Sequence, residues 1–216
     1  MRELRSGKAA HCIYKFFYFV IVSAWGYSVM KDQVWFPTYL GGSGDMIRSF
    51  DGHPHANHCE GLKMYILVTM GYHAGGLITL ALGTRRNDFI EMGLHHLVTM
   101  YLFGGMYVYN IWEIGSAIAY LHDVSDITAN VVKMLAETND KFWLPITFVL
   151  HMILWFWFRN IVLPKYVWHL LTDFINVEMY GETHVIPIFG FGLLCLCFLH
   201  LYWFTMFCRL LKKFIH

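Results

Sequence analysis

Charge is scarce in this chain. Lys, Arg, Asp and Glu together make up 14% of its 216 residues, and the formal net charge is only +1. That share excludes an ordinary soluble domain, in which about a quarter of residues are charged. The near-neutral balance also gives no ground for a nucleic-acid partner. Cysteine is sparse too. Cys12, Cys59, Cys195, Cys197 and Cys208 lie mostly inside apolar runs, where thiols act as small hydrophobes rather than as a disulfide framework. The redox compartment therefore stays open. A cleavable leader is missing as well: the apolar run from Ile13 to Met30 has no small-residue cleavage site and is followed by further runs, so it reads as a mature span.

Apolar and aromatic residues fill the space that charge leaves, at 57% and 18% of the chain. The composition is that of an all-α polytopic membrane protein. Six runs of spanning length follow one another, at roughly 13–30, 62–82, 88–109, 112–136, 142–163 and 185–208. Trp35 and Phe36, beside Pro37, fall where an interfacial aromatic belt is expected. Asp88 suits the first turn of the third run, where a carboxylate favours a helix N-terminus. Pro145 fits the first turn of the fifth, and that run is expected to end before Pro164. Residues 165–183 then read as an interfacial segment and loop. In outline, a basic tail (1–12) and a second one (211–216) flank a membrane domain at 13–210.

The loop at 41–61 is rich in Gly and His. Its His53, His55, His58, Cys59 and Glu60 are weak metal-ligand candidates, since imidazole and thiolate suit zinc. Their spacing matches no standard motif and Pro54 interrupts regular geometry. A solvated interfacial loop is the preferred reading.

Six spans place both termini on one face. On that face stand Arg2, Arg5, Lys8, Arg85, Arg86, Lys141, Arg209, Lys212 and Lys213, against Lys31, Arg48 and Lys165 on the other. Nine against three makes the terminal face the cytosolic one, or the matrix-facing one in a mitochondrial membrane.

Depth then follows from a rise of about 1.5 Å per residue. His95 and His96 lie roughly 10 to 12 Å below the basic face, and Asp126 and Asp123 roughly 15 to 20 Å below it. His73, His151 and His200 each come out near roughly 13 Å. Five helices thus contribute to one polar layer. Such groups are costly in a bilayer, about 2.5 to 3.5 kcal/mol for a charge at a helix centre, and usually mark function. Asp123 and Asp126, three apart, share one helical face, and both ionise only if a cation pairs with them. His95 and His96 point about 100° apart. One is expected in a cavity and the other on a neighbouring helix. His73 and His151 read as interhelical hydrogen-bonders. An Asp-oriented His is the general-base arrangement of acyl transfer.

RRNDFIEMGLHHLVT at 85–99 and LHDVSD at 121–126, with WFP at 35–37, RNIVLP at 159–164 and HLYWF at 200–204, resemble the TLC-domain family, specifically its ceramide synthase (longevity-assurance) branch. The resemblance covers about residues 30–212. It implies a barrel of about six helices in the endoplasmic reticulum membrane that moves a fatty acyl group from acyl-CoA, as co-substrate, to the amine of a sphingoid base. No bound cofactor is implied. The matching catalytic positions are His95, His96, Asp123 and Asp126, one histidine acting as base or acyl acceptor and the aspartates orienting it and holding the amine. Arg85, Arg86 and Lys141 would meet the CoA phosphates at the basic mouth, or serve only as anchors. His122, His200 and Tyr202 complete the candidate substrate-binding set.

Relative to the family pattern the chain is shortened at its N-terminus, and the 41–61 loop departs from it. Two other classes of function therefore stay open. One is a non-catalytic structural or lipid-holding subunit of a larger membrane complex, including one of the mitochondrial inner membrane. The other is a sphingolipid transporter or sensor. A homodimer is compatible with each, and membrane lipids surround the domain in all of them.

Overall fold

The computed structural model describes residues 2–83, 88–138, 140–177 and 184–215. Its helices are α1 (Arg2–Met30), α2 (Leu62–Leu82), α3 (Phe89–Val108), α4 (Trp112–Thr138), α5 (Trp143–Trp155), α6 (Leu163–Thr172) and α7 (Val185–Ile215). No proline interrupts α1, which starts inside the basic stretch and runs unbroken for 29 residues. Gly61, at φ 86°, makes the left-handed turn into α2. Asp88 takes the N-cap position of α3. Asp140 caps α5 through Oδ1, which accepts from the backbone N–H groups of Phe142 at 2.9 Å and Trp143 at 2.8 Å.

The fifth run does not stop at Pro164. A π-helical segment, Phe156–Val162, joins α5 to α6, so a single rod extends from Trp143 to Thr172. Its wider turn accommodates the proline, because pairing there already reaches five residues back: the Leu163 N–H donates to the Phe158 carbonyl. The expected loop at 165–183 is therefore helical as far as Thr172. Glu178 and Glu182 lie outside the described residues.

Six rods close into a ring, in the spatial order α1, α2, α3, α7, the α5–α6 rod, α4 and back to α1. The described residues form no named strand. Large side chains such as Ile21, Leu82 and Phe198 point outward, as apolar groups can when the surrounding solvent is lipid. Among the described residues, four stretches are long and apolar enough to cross a membrane: Gly7–Met30, Leu62–Leu82, Trp143–Thr172 and Val185–Lys213. The remaining rods, α3 and α4, carry Glu91, His95, His96, Glu113, Asp123 and Asp126, and they complete the ring between those four. The chain is an all-α multi-pass membrane protein.

The end of the ring away from the termini is plugged by residues 31–61. Trp35 and Phe36 are buried, at 5% and 0% exposure, rather than forming an interfacial belt. Phe36 meets Tyr120 of α4 at 5.5 Å between ring centroids, and Phe50 meets Phe174 at 4.3 Å. The packed part of this cap is residues 35–40, while the 41–61 loop is largely exposed or half-buried, with only Met46 and Ser49 buried. Closing a ring of helices leaves an apolar end to cover, and the aromatic side chains cover it.

Candidate functional site

The polar layer assembles inside the ring from α2, α3, α4, the π segment and α7. His73 lies 6.1 Å from His95 and 5.8 Å from His96, and the adjacent pair is 5.5 Å apart, all between ring centroids. His200 continues the chain of rings, 6.1 Å from His95 and 5.0 Å from His122. All of these except His122 are at least nine-tenths buried. Their close approach needs a small neighbour. A Cβ on Gly76 would lie 2.8 Å from His96 Cε1, so glycine lets α2 and α3 bring that imidazole in.

Asp123 and Asp126 turn to different partners. Tyr65 Oη donates to Asp123 Oδ2 at 2.8 Å. Arg159, on the π segment, donates through Nη2 to Asp126 Oδ1 and to the His122 carbonyl at 3.2 Å, and through Nε to Ser125 Oγ at 2.8 Å. Its guanidinium carbon sits 4.1 Å from the Trp155 ring centroid, and Nη1 is 3.4 Å from His200 Nε2. Among the described residues neither carboxylate accepts a hydrogen bond from a histidine. The expected Asp-oriented imidazole is therefore not made. Arg159 is instead the cation paired with Asp126, while the Tyr65 hydroxyl holds Asp123.

Orientation among the histidines comes from backbone. His122 Nδ1 lies 2.7 Å from the Ile118 carbonyl. A carbonyl can only accept, so Nδ1 carries the proton and, in the neutral ring, Nε2 keeps its lone pair. That nitrogen is buried without a partner. The Nδ1 atoms of His73, His95, His96 and His200 are likewise buried and unpartnered. His73 is thus part of this cluster rather than interhelical glue. His151 does act as glue, its Nδ1 3.0 Å from Thr128 Oγ1.

His95 and His122 face an apolar chamber bounded by Phe103, Met106, Ile111, Ile114 and Phe189 and by Asp126 at its polar end. It forms an apolar slot with a cavity volume of about 70 Å³. Along α3 it runs from His95 to Met106, roughly 16 Å of helix. Its predominantly aliphatic and aromatic walls suit an apolar ligand group. His96 faces away from the chamber into a separate groove. The adjacent histidines therefore serve two cavities, not a cavity and a neighbouring helix.

The other sequence candidates lie elsewhere. Tyr202 is half-exposed, with its Oη 3.4 Å from Glu91 Oε1, outside the chamber. Arg85 and Arg86 lie outside the described residues. His55 is exposed on the cap. His53 and His58 converge on Glu113 of α4, with His58 Nδ1 2.7 Å from Oε1 and His53 Nε2 3.7 Å from Oε2. Both ring nitrogens of His58 are engaged, by Glu113 and Asn110, His53 Nε2 lies 3.1 Å from the Ser49 carbonyl, and no group of three or more His, Cys, Asp or Glu among the described residues is arranged to hold a metal ion. Sequence reasoning missed Arg159, Tyr65 and Glu113. The first carried the same signal as the histidines, an ionisable group within an apolar run.

The TLC domain profile matches residues 8–209. The chain belongs to the TLC-domain family. Among curated relatives, this TLC domain is 27% identical to ASC1-like protein 3 of Oryza sativa subsp. japonica, over 99% of this chain and 74% of that protein. It is 25% identical to ceramide synthase LOH2 of Arabidopsis thaliana, over 95% and 69%. Against ceramide synthase 4 of Mus musculus the identity is 26%, over 100% of this chain and 53% of the relative. The TLC domain here thus spans about half to three quarters of the length of these proteins.

Proposed function

We propose that this TLC domain is a ceramide synthase-type N-acyltransferase, moving a fatty acyl group from acyl-CoA to the amine of a sphingoid base. The observation that carries it is an apolar slot bounded at one end by imidazoles with nitrogens unpartnered among the described residues and by one carboxylate. Two of the relatives above are ceramide synthases by name, which supports the same reading, and we place the reaction in the endoplasmic reticulum membrane.

In this reading the acyl tail occupies the slot between α3, α4 and α7. Asp126, held by Arg159, receives the incoming amine. His122 Nε2, with its lone pair free, takes the proton as nitrogen attacks the thioester carbonyl. The C–N bond forms, the C–S bond breaks, and the proton leaves with the thiol. His95 lines the same end of the slot and touches the reacting carbonyl. Exclusion of water protects the activated acyl group from hydrolysis.

Transfer from labelled palmitoyl-CoA to sphinganine by the purified chain in lipid tests this. His95→Ala and His122→Ala are each expected to lower the rate about a hundredfold or more, the range of a positioned general base, with the fold retained. A second reading, a non-catalytic scaffold, is favoured by the pairing of both carboxylates with Arg159 and Tyr65 rather than with histidine. Absence of product across several acyl lengths and amine acceptors would leave that reading.

A further inference from the structure

The slot is too small, as it stands, for the group assigned to it. Its volume is about 70 Å³, whereas pockets for small organic molecules begin at about 300 Å³. An acyl tail therefore enters only where a wall gives way. The histidine end is fixed, because Arg159 ties α4 to the α5–α6 rod there. The opposite end, nearest the cap, is made of Met106 on α3 and of Ile111 and Ile114 at the turn into α4. Met106 lies across Gly115, where a Cβ would fall 1.6 Å from its sulfur, and an unbranched thioether side chain repacks readily. Ile111 and Ile114 are β-branched and stiff, so they withdraw only with the turn that carries them.

That turn is held from outside the slot. Asn110 occupies it at φ 59°, a left-handed conformation that asparagine tolerates. His58, from the loop that departs from the family pattern, bridges the turn: Nε2 lies 2.6 Å from Asn110 Oδ1 and Nδ1 lies 2.7 Å from Glu113 Oε1. The imidazole also stacks on Trp112 at 4.1 Å, and Trp112 on Tyr107 at 5.5 Å, between ring centroids. Asn110 Nδ2 in turn donates to the carbonyls of Pro54 at 3.0 Å and Ala56 at 3.4 Å. Asn110 and Glu113 each precede a slot residue, Ile111 and Ile114. Holding the first pair holds the second.

We propose that His58 latches the floor of the slot and thereby sets the length of acyl group that the chain accepts. The inference rests on the acyltransferase reading above. With the latch closed, the floor stays at Met106, Ile111 and Ile114. Each further methylene requires the turn to withdraw further toward the cap, so the latch opposes long tails more than short ones. His58 touches no reacting atom; it is a positioning residue that acts through the turn.

The test is transfer of labelled lauroyl, palmitoyl and lignoceroyl groups from their CoA thioesters to sphinganine by the full chain in lipid nanodiscs. Beside it, photo-crosslinking with ω-diazirine fatty acids of the same lengths reads entry to the slot without any chemistry. His58→Gln breaks the bridge, and Asn110→Gly removes the other end of it while keeping the positive φ. Met106→Ala deepens the floor directly. Each is expected to raise the lignoceroyl-to-lauroyl rate ratio about fivefold or more, the size of effect one lost hydrogen bond gives, with more crosslinking of the longest probe to Ile111 and Ile114. A variant that merely loosened the fold would lower all three rates together. Equal losses at every length, or an unchanged ratio, in both latch variants overturns the proposal while transfer stands, and so does a ratio raised by Met106→Ala alone. A wild type that transfers nothing, but whose latch variants crosslink the longest probe more strongly, upholds the latch and removes the acyltransferase reading. No transfer and no crosslink to the slot in any form of the chain sinks both.

Discussion

A buried guanidinium must be matched closely, because taking an ion out of water costs several kcal/mol before any attraction is counted. Arg159, 3% exposed, is matched by the Asp126 carboxylate, the Ser125 hydroxyl, the His122 carbonyl and the Trp155 ring. Arg159→Leu leaves Asp126 without its counter-charge and should cost about 3 to 5 kcal/mol, read as a lower thermal midpoint of the purified protein. The Arg159→Leu, Asp126→Leu double variant should recover part of that loss. If the double variant melts below the single one by the full effect of Asp126→Leu, the two residues are not coupled. Arg159→Lys keeps the charge but loses the planar fork that spans three acceptors, so it should fall between. The histidines and aspartates were legible in the sequence because polar groups stand out in apolar runs. The pairing of Arg159 with Asp126 was not, since the two are 33 residues apart and no periodicity links them.

At the scale of elements, helices were legible and their irregularities were not. A proline inside an apolar helical pattern ordinarily ends the helix, so Pro164 read as a terminator although α5 passes through the π segment Phe156–Val162 into α6. The widened turn aims Arg159 into the ring, and π-bulges of this kind are frequent at functional sites. The contact of α3 with α7 depends on another local detail. A Cβ on Gly105 would fall 2.2 Å from Phe189 Cζ, and Phe189 is buried at 5% exposure in the slot wall. Gly105→Ala should therefore overpack the interface by about 1 to 3 kcal/mol and push the ring into the slot. Phe189→Leu in the same chain should restore the thermal midpoint. A Gly105→Ala variant as stable as the wild type, with unchanged preference among acyl lengths, would show that α7 simply moves aside.

At the scale of the molecule, composition and charge asymmetry announced an all-α membrane protein, but not the order of its rods. The ring places α1 against α4 and α3 against α7, adjacencies between segments distant in sequence that no local pattern encodes. Nor did the cap announce itself, because its aromatic residues suit a membrane surface as well as an interior. One polar pin holds the cap to the ring. His58 Nδ1 lies 2.7 Å from Glu113 Oε1 and Nε2 lies 2.6 Å from Asn110 Oδ1, while Asn110 Nδ2 donates to the Pro54 carbonyl. Both ring nitrogens thus face oxygen acceptors, which only an imidazolium satisfies by donating twice. Burial opposes that charge, but the bonds to Glu113 and Asn110 and the Glu113 charge outweigh it and raise the His58 pKa above its usual value. A raised folded value means that protonated His58 favours the folded state. Its contribution is complete below the unfolded pKa of about 6.5 and is lost as pH climbs through the higher folded value. Thermal midpoints across mildly acidic to alkaline pH should therefore fall for the wild type. His58→Gln should start lower and lose that slope, and an equal slope in the variant would place the titration elsewhere, leaving the cap held by its aromatic packing alone.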